Sequence, residues 1–242
     1  MVDFEAIISR YMDKLLQGDR LGCRQILGEA LQTGTPANVI YTELFWPVMT
    51  MIDALYRNHR IDRITEHMAT RINRILVDQL QSKLPRRESR HLSMIVACAS
   101  DEPEELGAQM CADLFESDGW TVKFLGGGVP VDEIITLAGV TQPDIIFVYG
   151  TKPSGAPEIR RLIDTLHDIG SSPKTRVMLS GGVFNRAEGL WEEIGADLFA
   201  PTAAEALKTA MTERRAEPVR RRPRHPVASE TPEVEMEAEA LK

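Results

Sequence analysis

Apolar residues return every three to four positions through the first third of the chain. Phe4, Ile7, Ile8, Tyr11 and Leu15 form one such stripe, and Val48, Ile52, Leu55 and Tyr56 a second. A third runs Ile61, Ile64, Met68, Ile72, Ile75 and Leu76. This spacing predicts helices that each bury one face. Turn signals at Gly18-Asp19, at TGTP (33–36) and at NHRID (58–62) divide residues 3–82 into about four helices, the second being DRLGCRQILGEAL. Four amphipathic helices in a row predict a bundle, taken as residues 1–84, followed by a charged linker at 85–90 within SKLPRRESR.

After the linker the rhythm changes. Short apolar runs, LSMIVACA, TVKFLGG, DIIFVYG, RVMLSGG and ADLFAP, alternate with helical patterns near 104–118, 131–140, 155–169, 186–194 and 203–213. Strands alternating with helices predict an α/β domain over 91–213 with a five-stranded, doubly wound parallel sheet. Ligands of such sheets sit beyond the carboxyl ends of the strands. Three of those ends are glycine-rich here, LGGGVP, YGTKPSG and SGGVFN, while the first reads ASDEPEELG. There is no GxGxxG and no Walker A pattern, so a nucleotide site has little support.

Charge sharpens the division. Residues 1–213 carry 21 Lys/Arg against 30 Asp/Glu, whereas 214–242 carry 7 against 6, first basic and then acidic. The acidic body argues against direct nucleic-acid binding. The proline-containing tail, poor in large apolar residues, is expected to be disordered. Cys23, Cys98 and Cys111 are odd in number and follow no metal-ligand spacing, which suits reduced thiols in a cytoplasmic protein. No apolar run approaches a membrane span and the N-terminus is no signal peptide. No nucleophile triad or metal-spaced His/Cys set emerges. Glu102, Glu104 and Glu105, at the start of a helix, are read as exposed residues favouring the helix dipole rather than as acid–base groups.

A four-helix cap followed by this sheet resembles the cobalamin-binding module, with its flavodoxin-like domain. That module occurs in corrinoid methyltransferase subunits and in CarH-type and AerR/PpaA-type regulators. The resemblance covers about residues 3–213 and rests on three stretches. LGGGVPVDEIITLAGVTQPDIIFV is similar to the family's second strand, helix and third strand. VMLSGGVFNRAEGLWEEIGADLFAPTAAEALKTA resembles its last two strands and helices, including Gly181-Gly182. In the cap, the family's Trp followed ten residues later by Glu-His falls on Tyr56 and on Glu66-His67.

Three positions depart from the family. Its first loop reads Asp/Glu-x-His-x-x-Gly, the His being the lower cobalt ligand. Here Glu102 and Gly107 hold their places but Glu104 replaces the His. The family's Ser-x-Leu, which lines the tunnel for the displaced nucleotide base, falls on Tyr149-Gly150-Thr151. The position beside the cap Trp, a His in CarH-type photoreceptors, is Arg57. A carboxylate is a harder and weaker partner for cobalt(III) than imidazole. Overfilling the slot with a phenol costs roughly 1–3 kcal/mol.

The resemblance thus implies a tetrapyrrole between cap and strand ends: cobalamin first, with haem or biliverdin as alternatives. The residues expected at it are Trp46, Val48, Met49, Ile52, Tyr56, Glu66 and His67 from the cap, and Glu102, Glu104, Gly107, Gly127, Val129, Tyr149, Gly150, Thr151, Gly181 and Gly182 from the sheet domain. Bundle core is the competing assignment for Trp46, Val48, Met49, Ile52 and Tyr56. His67 is the one candidate metal ligand, while His59, His91, His167 and His225 fit no motif. The function expected is a non-enzymatic sensor of the antirepressor kind, acting through a transcription factor or other regulatory protein and possibly as a homo-oligomer. The alternatives are a corrinoid carrier for methyl transfer and a protein-binding scaffold without cofactor.

Overall fold

Two of the three expected breaks end in an aspartate that starts the next helix, as Asp3 starts the first. The break at TGTP leads into a helix through Pro36. The structure, a computed structural model, describes residues 3–99 and 105–212. Glu102, Glu104 and the expected disordered tail lie outside them. α1 (Phe4–Leu16), α2 (Arg20–Gln32) and α5 (Arg63–Gln81) begin at Asp3, Asp19 and Asp62, whose carboxylates accept from the N–H groups of Ala6, Gly22 and Thr65. Each cap satisfies one of the donors that a helix start leaves unpaired. Between α2 and α5, α3 (Ala37–Ile40) and α4 (Trp46–Arg57) form one continuous rod joined by a π-helical segment, Tyr41–Phe45. Pro47 explains that segment. It lacks an N–H and its ring crowds the carbonyl four residues back, so the ladder widens there.

The sheet is wholly parallel in the order β2-β1-β3-β4-β5. Its strands are β1 (Ser93–Cys98), β2 (Thr121–Gly126), β3 (Ile145–Tyr149), β4 (Arg176–Ser180) and the two-residue β5 (Leu198–Phe199). Alternation along β1 divides the core. Met94, Val96 and Cys98 face one cluster with α6 (Leu106–Ser117) and the bundle, while Ile95, Ala97 and Ala99 face another with α7 (Val131–Thr141) and α8 (Ala156–Ile169). The helix expected over 186–194 is two short ones, α9 (Gly182–Arg186) and α10 (Leu190–Ile194), separated at Gly189, whose φ of +76° does not belong to a right-handed helix. α11 (Ala203–Thr212) completes the described chain.

Cap and sheet domain share one apolar cluster rather than meeting at a wet seam. The linker is fastened too, because Arg87 and Arg90 both pair with Asp118 in the turn before β2, each at 2.7 Å. One polar contact crosses the shared core. Tyr41 Oη lies 3.0 Å from both the Val77 carbonyl and Asp113 Oδ2 on α6. With Asp113 ionised, one phenolic proton must serve two acceptors. With Asp113 protonated, the carboxyl can donate to Tyr41 and Tyr41 to Val77, so both bonds are made. Burial pushes the Asp113 carboxyl up to about 6, with Glu116 and Asp78 adding to the rise against the opposing Tyr41 bond.

The sign follows from linkage. A carboxyl that holds its proton more tightly folded than unfolded stabilises the fold below its ordinary value of 3.8, and that contribution is lost as pH rises through about 6. Urea midpoints measured from about pH 4 to pH 7 should therefore include a downward component from this site. Asp113→Asn, which keeps a permanent donor at the position, should flatten that component.

Candidate functional site

The order of the sheet reverses between β1 and β3, the point at which doubly wound folds open a crevice for ligands. Cys98, Tyr149 and Ser180 lie side by side there, paired in register as the last residues of β1, β3 and β4. The ends of β3 and β4 come unusually close. The Gly150 N–H donates to the Ser180 carbonyl at 3.0 Å, and a Cβ on Gly181 would stand 2.2 Å from the Gly150 oxygen. Gly181 also has a φ of +108°, so both space and backbone conformation demand glycine.

The last residue of the acidic loop has a structural task. Glu105 Oε1 accepts from the Gly127 N–H at 2.6 Å, and its other oxygen lies 3.9 Å from Arg74 on α5. Glu105 therefore ties the start of α6 to the loop after β2 and to the cap. It is not the exposed helix-dipole residue that the sequence suggested, since orphaned backbone N–H groups at the strand ends attract a carboxylate.

A second crowded contact lies at the start of α6. Gly107 opens the first turn of α6, and a Cβ there would stand 2.2 Å from Tyr149 Oη and 2.3 Å from Cζ. The phenol thus occupies the space between helix and sheet that the missing side chain leaves, and Tyr149 is only 4% exposed. Beside it, Ser180 is fully buried and its Oγ has no hydrogen-bond partner. Strand alternation puts this hydroxyl on the same face as its register partner Tyr149.

The cap reaches the rim through charge. On α4, Asp53 accepts from Arg57 at 2.9 Å and from Arg186 at 3.3 Å. Arg186 also donates to the Thr151 carbonyl at 2.6 Å, with its guanidinium lying over Gly182. Asp53 and Arg186 were not anticipated. Each is a lone surface charge in sequence, and only their meeting across 133 positions gives them a role.

The other expected residues divide. Val48, Ile52 and Trp46 are buried in the bundle core with Met49 packed against it, as the competing assignment held, while Tyr56 is 39% exposed. Glu66 accepts from Thr70 at 3.2 Å and sits 3.8 Å from His67. His67 is half exposed, receives a long 3.4 Å contact from Arg63, and lines a groove of about 350 Å³ with Gly18, Arg20, Met68, Arg71 and Ile75, all from the cap. Among the described residues no group of three or more His, Cys, Asp or Glu is placed to hold a metal. Val129 lines a cavity of about 10 Å³ at the ends of β1 and β3, with Ala97, Val148 and Ile159, room for at most one water. No described helix is long and apolar enough to cross a membrane.

A helical cap fastened over the glycine-rich ends of a parallel sheet defines a ligand-binding protein of the two-unit, flavodoxin-like class. The B12 binding domain family matches residues 92–210, and a second family of the same description matches residues 7–81. The chain belongs to this cobalamin-binding family, and of the expected cofactors cobalamin is the one the match selects. It is 23% identical over 212 residues to dimethylamine corrinoid protein 3 of Methanosarcina acetivorans, covering 87% of this chain and 98% of the relative. Dimethylamine corrinoid protein 1 of Methanosarcina mazei is 25% identical, with 85% of this chain and 91% of the relative covered. The structure of the Methanosarcina barkeri monomethylamine corrinoid protein superposes with a TM-score of 0.75 at 20% identity, over 85% of this chain and 97% of that one, and shares its fold.

The residues present fit part of such a cofactor. Gly127 and Gly182 present half-buried backbone at the rim that a flat macrocycle can approach, Gly182 beneath the Arg186 guanidinium, while Gly150 and Gly181 are buried against each other. The slot beneath, between Gly107 and the sheet, is filled by Tyr149 and does not fit an inserted aromatic base.

Two stability measurements check this packing. Gly107→Ala should cost about 1–3 kcal/mol with Tyr149 in place and distinctly less on a Tyr149→Ser background, a coupling that a double-mutant cycle reads directly. Ser180→Ala removes a buried hydroxyl that makes no bond, so its urea midpoint should be unchanged or slightly raised.

Proposed function

We propose that the chain is a corrinoid carrier for methyl transfer, which holds its cofactor between cap and strand ends and works with a partner methyltransferase. The observation that carries this reading is the joined architecture: cap, fastened linker and sheet domain together match relatives named as dimethylamine corrinoid proteins along 98% and 91% of their length. A bound corrinoid supplies a metal centre able to accept and give up a methyl group. The chain's own residues do the holding. Backbone at Gly127, Thr151 and Gly182 would form the rim of the bed, with Gly150 and Gly181 packed beneath it, and the Asp53–Arg186 pair closes the cap against it.

The sensor reading drawn from the sequence rested on Glu104 and Tyr149. Glu104 lies outside the described residues. Tyr149 bears on how a corrinoid is seated, not on whether the protein carries or senses it. The carrier reading also agrees with the absence of an acid–base pair or nucleophile in its motifs, since a carrier leaves the remaining chemistry to its partner.

The test is to incubate the full chain with hydroxocobalamin and with aquocobinamide and to follow each on gel filtration. Stoichiometric co-elution of at least one corrinoid is expected, with an elution volume that is the same in dark and light when methylcobalamin is the probe. Co-elution of none removes the carrier reading, and a light-dependent change of oligomeric state returns the sensor in its place.

A further inference from the structure

We propose that Tyr149 is a specificity-determining residue, a plug that bars the lower nucleotide base of a corrinoid from the slot between α6 and the sheet. The chain would then accept corrinoids whose base is absent or stays outside the protein. This rests on the corrinoid reading above and adds the form of the cofactor to it.

Three observations converge on the slot. Gly107 has no side chain where α6 passes the sheet, and the phenol fills the space, 2.2–2.7 Å from where a Cβ would stand. No second aromatic ring fits between the two. Ser180 Oγ, fully buried on the same face, makes no hydrogen bond. Buried polar atoms are normally satisfied, so an orphaned hydroxyl beside the ring marks a wall with a polar atom that the packed phenol leaves without a partner. Among the described residues, the far face of the same strand ends offers no second entrance. Gly150 is hemmed in by Phe184, Ile159 and Val183 at 3.4–3.6 Å from a built Cβ, and the cavity among Val129, Val148 and Ile159 holds about 10 Å³.

Tyr149 cannot yield cheaply. Its ring lies in the cluster shared by α6, the sheet and the cap, so a rotation outward would leave an apolar void in place of a packed side chain. Exclusion should therefore be worth about ten- to hundred-fold in affinity. The size is that of overfilling a packed slot, since either the base or the phenol must give way.

The experiment titrates the full chain with aquocobinamide, which has no nucleotide, and with hydroxocobalamin, which has one. Dissociation constants come from absorbance, and the visible spectrum shows whether the benzimidazole of bound hydroxocobalamin stays on cobalt. The wild type should bind cobinamide about tenfold or more tighter, and any bound hydroxocobalamin should keep its base coordinated. Tyr149→Phe keeps the ring and should behave as the wild type does. Tyr149→Ser should narrow the preference about ten- to hundred-fold and release the base from cobalt. Because wild type and Tyr149→Phe already discriminate, failure of Tyr149→Ser to fold leaves the test intact. Wild-type protein that binds hydroxocobalamin as tightly as cobinamide, with the base released, overturns the plug and leaves the carrier reading standing. Binding of neither corrinoid overturns both.

Discussion

A phenol and an absent methyl group share one space at the place where the sheet reverses its strand order. Gly107 lets α6 pass close to β3, and Tyr149, the last residue of that strand, turns its ring into the gap. Neither residue explains the other's neighbourhood alone. Without glycine the helix would be pushed from the sheet, and without the ring the helix start would border a void. The surrounding segments are arranged around this contact: the start of α6 is held by Glu105 against Gly127, and the loops after β3 and β4 meet through Gly150 and Gly181.

The cap is anchored by two kinds of interaction with different dependence on conditions. Deep in the shared core, Tyr41 joins α6 through Asp113, a buried carboxyl that prefers its proton. At the rim, Asp53 meets Arg186, a half-exposed ion pair of the sort that contributes little, about 0–1 kcal/mol, and weakens with salt. The gradient has a physical meaning. The base of the cap belongs to the same packed body as the sheet, whereas its edge above the strand ends is held by an interaction that water can replace at small cost. That is the arrangement a binding cleft needs, firm where it is built and easily parted where something must enter.

Much of the architecture was legible in the sequence because its causes are local. Aspartates at helix starts, apolar stripes at helical spacing and short apolar runs ended by glycine each act within a few residues. Where the reading slipped, the cause was a local backbone exception or a neighbour far along the chain. The helix expected at 186–194 is split because Gly189 leaves helical geometry. Glu105, taken as an exposed helix-start residue, is recruited by the loop after β2. Within the site, Tyr149 and Gly107 could be recognised by register with a family motif, but that they touch is a three-dimensional fact. Asp53, Arg186 and the unpartnered Ser180 carry no sequence signal at all. Trp46, Val48 and Ile52 illustrate the opposite limit, since a stripe of large apolar residues reads alike whether it lines a cleft or fills a bundle.

The fastening of the linker limits how the molecule can rearrange. Arg87 and Arg90 staple it to Asp118 at the edge of the sheet remote from the strand ends in sequence. The bundle therefore does not dangle from a tether. Its α4 edge meets the sheet domain through Asp53 and Arg186, 3.3 Å apart, so parting that edge breaks a half-exposed ion pair and leaves the stapled linker in place.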